Sequence, residues 1–122
     1  MIFTLPFAKA CFDRFNREFF NGELPEIPIR LGRAKRSLGT CTCRIRRRWW
    51  HIVRYDFKLR FSTSFDLPEA ELEDTVLHEM IHYWIWLNDI RDTSAHGKVF
   101  REQMARVNAA GRHVTISHKT HN

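Results

Sequence analysis

A chain of 122 residues that is 43% hydrophobic, with ten phenylalanines and four tryptophans, carries enough apolar surface for one core and is not a disordered segment. No apolar run approaches the roughly 18 residues a membrane span needs, and the opening MIFTLPFAKA has neither a basic leader nor a small-residue cleavage site, so the chain reads as soluble, unexported and cytoplasmic or nucleoid-associated. A net charge of +6 brings a polyanionic partner into consideration, and Cys11, Cys41 and Cys43, an odd set without a CxxC, argue for free thiols in a reducing compartment.

The first predicted element is a helix, with Thr4 as N-cap and Pro6 in its opening turn. Ala8, Cys11, Phe12, Phe15 and Phe19 recur at helical spacing, and Asn21-Gly22 supplies the stop. LPEIPIRLG follows as an extended piece in which Ile27, Ile29 and Leu31 alternate with other residues.

Residues 38 to 62 predict a pair of strands. Cys41, Cys43 and Ile45 fall on one side with Arg44 and Arg46 on the other, and Phe57, Leu59 and Phe61 alternate with Lys58 and Arg60. Paired, the two strands are expected to gather their arginines and lysine on one exposed face, although the connection between them holds no Gly or Pro to define a turn. In CRIRRRWWHIVRYDFKLR, Arg44, Arg46, Arg47, Arg48, Arg54, Lys58 and Arg60 meet only Asp56. A nucleic-acid face and an ordinary solvated sheet face both account for that run.

FDLPEAELEDTVLHEMIHYWIWLND predicts a second helix opening on a capping box, with Asp66 as N-cap, Pro68 in the first turn and Glu69 at the third position. Beyond Thr75 it is apolar nearly all round and therefore buried on most sides. A last helix is expected from about Gly97 to Ala109, with Val99, Phe100, Met104 and Val107 inward, and the tail HVTISHKTHN suggests a short strand.

The apolar second helix carries HEMIHYW, His78 to Trp84. On a helix His78 and His82 are one turn apart, offset by about 40° around the axis and roughly 6 Å along it, so both imidazoles reach one ion. Zinc coordination offsets the cost of burying them. Glu79 leans over the same ion, where it can take a proton from a water that the metal has acidified. A third ligand is needed, and no compact HExxHxxGxxH is present. His96 and Glu102 are the rivals, and six helical residues, a rotation of about 240°, separate their directions. Glu102 has an alternative partner in Arg106, four residues on, whereas a histidine at a helix start is otherwise unexplained, which favours His96.

HEMIHYW followed by SAHGKVF resembles the SprT-like metallopeptidase family. FNREFFNGELPEIPIRLG is similar to that family's first helix and strand, FKLRFS to the strand before its active-site helix, and VTISHKTH to the close of its catalytic domain. The resemblance covers nearly the whole chain. It implies an α+β, zincin-like fold: a small twisted sheet of three to four strands against the HExxH helix, with two further helices. It also implies one Zn2+ held by His78, His82 and His96, Glu79 as general base, and protein substrates, which for Spartan-type members are proteins crosslinked to DNA. Residues 1–122 then read as a single SprT-like domain without the C-terminal zinc ribbon of many relatives, so that DNA contact rests on the basic strands.

The expected function is that of a zinc-dependent endopeptidase acting on protein or peptide substrates, with DNA-associated proteins among them. The rival is a non-catalytic nucleic-acid-binding module with a structural zinc. DNA, single-stranded rather than duplex, is the expected second partner through Arg44, Arg46, Arg47, Arg48, Lys58 and Arg60, with Trp49 and Trp50 suited to stacking bases or, for one of them, to core packing. No membrane partner is expected, and a monomer is the default. His118, His113 and Tyr83 are candidates to meet transition-state charge, and Asp89 or Asp92 to orient a ligand imidazole, with structural roles as the alternative for each. FKLRF is expected to pair with an extended substrate backbone.

Overall fold

The computed structural model describes residues 1–116. Helix α1 spans Leu5–Phe20, strands β1, β2 and β3 span Ile29–Gly32, Gly39–Arg48 and His51–Ser62, and helices α2 and α3 span Glu69–Leu87 and Lys98–Ala109. The fold is α+β, three helices with one three-stranded mixed sheet, as expected. None of the helices is long and apolar enough to cross a membrane.

Local chemistry sets α1 as the sequence predicts. The Thr4 hydroxyl accepts from the Phe7 N–H at 3.2 Å, and Asn21 ends the helix at φ 55. Its stripe of Ala8, Cys11, Phe12, Phe15 and Phe19 is buried against α2.

In the sheet the order is β1-β3-β2, with β1 parallel and β2 antiparallel to β3. FKLRF therefore lies in the central strand, with neighbours on both sides, and the expectation that it pairs with substrate is corrected. The edge strands are β1 and β2, and of these it is β2 that packs against α2.

A β-bulge decides where the cations go. Thr42 faces Lys58 but Arg44 faces Tyr55, so β3 carries one extra residue, and Asp56 there has φ 56. Across the bulge the alternation of β3 changes face. Lys58 and Arg60 lie outward with Arg44 and Arg46, whose guanidinium groups sit 5.8 and 5.2 Å from the Tyr55 ring. Arg54 pairs with Ile45 and turns inward, its guanidinium 5.1 Å from the Trp86 ring and 3.7 Å from Cys43 Sγ. The single exposed basic face is thus corrected: Arg54 leaves it, and Arg47, paired with Ile52, follows the inward parity.

Helix α2 fills the space between the sheet and the other two helices, with Leu72, Val76, Leu77, Met80 and Ile81 fully buried. The expected capping box is not formed. The helix starts at Glu69 behind Pro68, and the Asp66 carboxylate meets the Met1 amine instead. All three cysteines are free, Cys11 buried and the other two partly so. The tail strand does not form over residues 113–116, and its remainder lies outside the described residues.

Candidate metal centre

Helix α2 supplies His78, Glu79 and His82, and the loop before α3 brings His96 to them. The Nε2 atom of His96 lies 3.2 Å from that of His82 and 3.3 Å from that of His78. One nitrogen from each ring lies within 4.8 Å of the others. A four-coordinate ion about 2.0 to 2.1 Å from each nitrogen sets neighbouring ligands about 3.3 Å apart, the separation His96 keeps from each of the other two rings. His78 is 3% and His82 9% exposed. Three imidazoles gathered this closely, two of them buried and His96 half-buried, fit a shared cation.

The fully buried Phe100 on α3 sits beneath the cluster, its ring 4.9 Å from His78, 4.6 Å from His82 and 4.9 Å from His96. His78 Nδ1 lies 2.8 Å from the Thr115 carbonyl oxygen. A carbonyl only accepts, so Nδ1 carries the proton and Nε2 presents its lone pair to the cluster. Burial, reinforced by the charge of Arg101, holds His96 below the ordinary imidazole range, which favours the neutral ligand form.

The loop carrying His96 is organised by Asp92. Its carboxylate accepts from the N–H groups of Thr93 at 2.7 Å, Val99 at 3.0 Å and Phe100 at 2.8 Å. Gly97 caps α3, and a Cβ there would collide with the Thr93 and Asp92 side chains and the Ser94 N–H. The Arg101 Nε donates to the His96 carbonyl at 3.0 Å. His96 is therefore placed by a tightly hydrogen-bonded turn.

Glu79 is buried beside the cluster, its Oε2 3.9 Å from His78 Nε2. Burial pushes its carboxyl up to about 8, and a hydrogen bond from the Cys41 backbone on β2 works in the opposite direction. A neighbouring cation would lower it further.

Other candidates are placed elsewhere. Glu102 is exposed on α3, outside the cluster, and Arg106 donates not to it but to Gln103 at 2.9 Å. The Tyr83 hydroxyl donates to the Pro25 carbonyl at 2.9 Å and its ring packs on Phe12 and Phe57, the structural role that was its alternative. The Asp89 carboxylate lies 3.9 Å from His51, while Asp92 is the loop cap. His113 is exposed, and His118 lies outside the described residues. The basic residues are not in the cluster but on the β2–β3 hairpin, and Trp49 and Trp50 at its tip are 86% and 83% exposed, which rules out core packing for either. The Thr115 carbonyl, the Phe100 floor and the Cys41 N–H have no signature in the sequence, because each is a backbone group or an ordinary core residue until the fold closes.

A cleft of about 590 Å³ opens from His82 between the hairpin and the end of α2, with His51, Ile52, Arg54 and Trp86 in its walls.

Comparisons with known proteins bear on this site. The profile of the SprT-like family matches residues 8–120. Human DNA-dependent metalloprotease SPRTN is 31% identical over 126 residues, which cover 95% of this chain and 23% of the human protein. The zebrafish (Danio rerio) protein of the same name is 32% identical, covering 95% of this chain and 18% of its own. DNA-dependent metalloprotease dvc-1 of Caenorhabditis elegans is 31% identical over 119 residues, covering 95% of this chain and 32% of its own. The chain spans between about a fifth and a third of the length of these relatives.

Proposed function

The chain belongs to the SprT-like family, and from that membership we propose that it is a zinc-dependent endopeptidase working in a DNA context, with its catalytic residues inside this one SprT-like unit. The names of its relatives support a metalloprotease, and the imidazole cluster supports a metal. Three imidazole nitrogens gathered this closely favour zinc over oxygen-seeking cations. His78, His82 and His96 would hold it. When bound there, such a cation supplies charge that acidifies a water and polarises the scissile carbonyl.

The chain's own groups do the rest. Glu79 receives the proton of the attacking water and returns it to the departing amine. Its seat beside His78, with a hydrogen bond from the Cys41 backbone, holds the carboxylate next to the cluster. The free edge of β2 next to Cys41 pairs with the extended substrate backbone, and the cleft beyond His82 takes the side chains that follow. Substrates are proteins, and those bound or crosslinked to DNA are favoured by the basic hairpin.

The observation that carries this reading is the convergence of three Nε2 atoms with a buried glutamate beside them. The experiment is metal analysis of the purified protein with digestion of casein or histone, comparing wild type and Glu79→Gln, with and without single-stranded DNA. The expected outcome is about one zinc per chain in both proteins and turnover lost by two to four orders of magnitude in the variant. Turnover retained in Glu79→Gln, or a protein that binds no zinc, overturns it.

A further inference from the structure

The β2–β3 hairpin ends in a turn that folding alone would not choose. Trp49 and Trp50 connect the strands directly, and Trp49 has φ 56. Glycine, asparagine or aspartate enters that region at little cost, whereas a bulky side chain there stores strain. The two indoles gain nothing from the core in return, since both are almost fully exposed. Their centroids are 5.5 Å apart at an interplanar angle of 60°, an edge contact that leaves ring faces open.

Cations stand immediately behind them. Arg44, Arg46 and Arg48 follow one another at alternate positions of β2, about 6.6 Å apart along the strand, a step comparable to that between phosphates of a stretched single strand. Two of the three are already ordered by stacking on Tyr55, which reduces the entropy lost on binding. Asp56 is the one acidic residue of the hairpin. Flat, open aromatic faces beside a row of fixed cations fit unpaired bases on a phosphate backbone, because every base has a face to stack. A duplex hides those faces.

We propose that the hairpin tip is a clamp for single-stranded nucleic acid, in which Trp49 and Trp50 stack on unpaired bases while Arg44, Arg46 and Arg48 hold the phosphates. The clamp has a place relative to the metal centre. His51, next to Trp50, together with Ile52 and Arg54 lines the cleft that ends at His82. The three arginines lie on the outer face of the hairpin and Ile52 and Arg54 on the inner one, so a strand held by the clamp meets the cleft only where it passes over the turn beside His51, and a protein attached there is presented to the cleft. This placement rests on the peptidase reading above; the binding itself does not.

The test uses the full chain and fluorescein-labelled dT20, a blunt duplex of the same length, and vesicles of phosphatidylcholine with phosphatidylglycerol. Wild type is expected to bind dT20 more tightly than the duplex, with quenching of tryptophan fluorescence and affinity falling steeply between about 50 and 200 mM salt. W49G/W50N places glycine at the positive φ of Trp49 and a common turn residue beside it, so its thermal midpoint should equal or exceed that of wild type while its affinity for dT20 falls at least tenfold. W49F/W50F should retain most of the binding. Arg44→Ala with Arg46→Ala should reduce the salt slope by about two. Wild-type affinity for dT20 in W49G/W50N overturns the proposal, as does equal affinity for the duplex or binding to vesicles without binding to dT20. Binding is read without turnover, so an inactive protein that holds dT20 in this way counts against the peptidase alone, and an active one that does not counts against the clamp alone.

Discussion

The Nδ1 atom of His78 stands 2.8 Å from the carbonyl oxygen of Thr115, 37 residues further along the chain. That bond orients the imidazole from behind, and it depends on how residues 112–115 are held. The Asn108 side chain brackets Val114, donating to its carbonyl at 2.9 Å and accepting from its N–H at 2.8 Å. Arg112 reaches back to α2, donating to Asp74 at 2.8 Å and to Glu73 at 3.2 Å.

Asn108→Ala removes both bonds to Val114 and should loosen the carbonyl that fixes the His78 tautomer. Zinc affinity is expected to fall about 10- to 100-fold, the usual cost of losing support behind a ligand. Competition with a chromophoric chelator measures it, and unchanged affinity would detach Thr115 from the site.

The proposed third ligand separates two variants cleanly. His96→Ala should abolish stoichiometric zinc binding and turnover, because two imidazoles alone leave the ion weakly held. Glu102→Ala, on the exposed side of α3, should leave the zinc content as it is. Elemental analysis after dialysis distinguishes them, and the reverse pattern would move the third ligand to α3.

Gly97→Ala is predicted to act on His96 from a distance. The added methyl meets Thr93, Asp92 and Ser94, so the turn must open and the Asp92 cap on α3 must give way. A loss of about 1 to 3 kcal/mol in stability together with weaker zinc binding is expected from denaturant titration of the apo and zinc-loaded protein. A normal stability and affinity would show that the turn tolerates the methyl.

The Arg112 tie carries a pH signature. Burial works upward on Glu73, but hydrogen bonds and charge from Arg14 and Arg112 outweigh it and leave its carboxyl below the ordinary glutamate range. A carboxyl depressed in the folded state contributes stability that is fully present above its unfolded value and is lost as pH falls through the folded one. Arg112→Met is therefore expected to lower the thermal midpoint by a few degrees at pH 7, a gap that closes as pH drops below about 4. A gap that stays constant with pH would assign the loss to packing on Phe15, over which Arg112 also lies.

The parts legible in the sequence were those set by neighbours a few residues apart. Thr4 and Asn21 bound α1, the apolar stripe of α1 marks its buried face, and the four-residue step from His78 to His82 places two imidazoles on one side of α2. His96 was separable from Glu102 by helix rotation and the company each keeps. Even so, local signals failed where a distant partner competed: Asp66 met the Met1 amine and left α2 uncapped by a side chain.

Only the tertiary structure decided which strand lies at the edge, which arginines share a face and what stands behind His78. The alternation of β3 is plain in its sequence, but one extra residue at Asp56 reverses it and turns Arg54 towards Trp86. A bulge arises from the pairing of two strands, so neither strand alone encodes it. The Thr115 carbonyl exists in every chain as one backbone acceptor among many. It becomes a support for His78 because Arg112, Asn108 and α2 close a loop of 37 residues around it, a contact whose energy is shared among groups that periodicity does not connect.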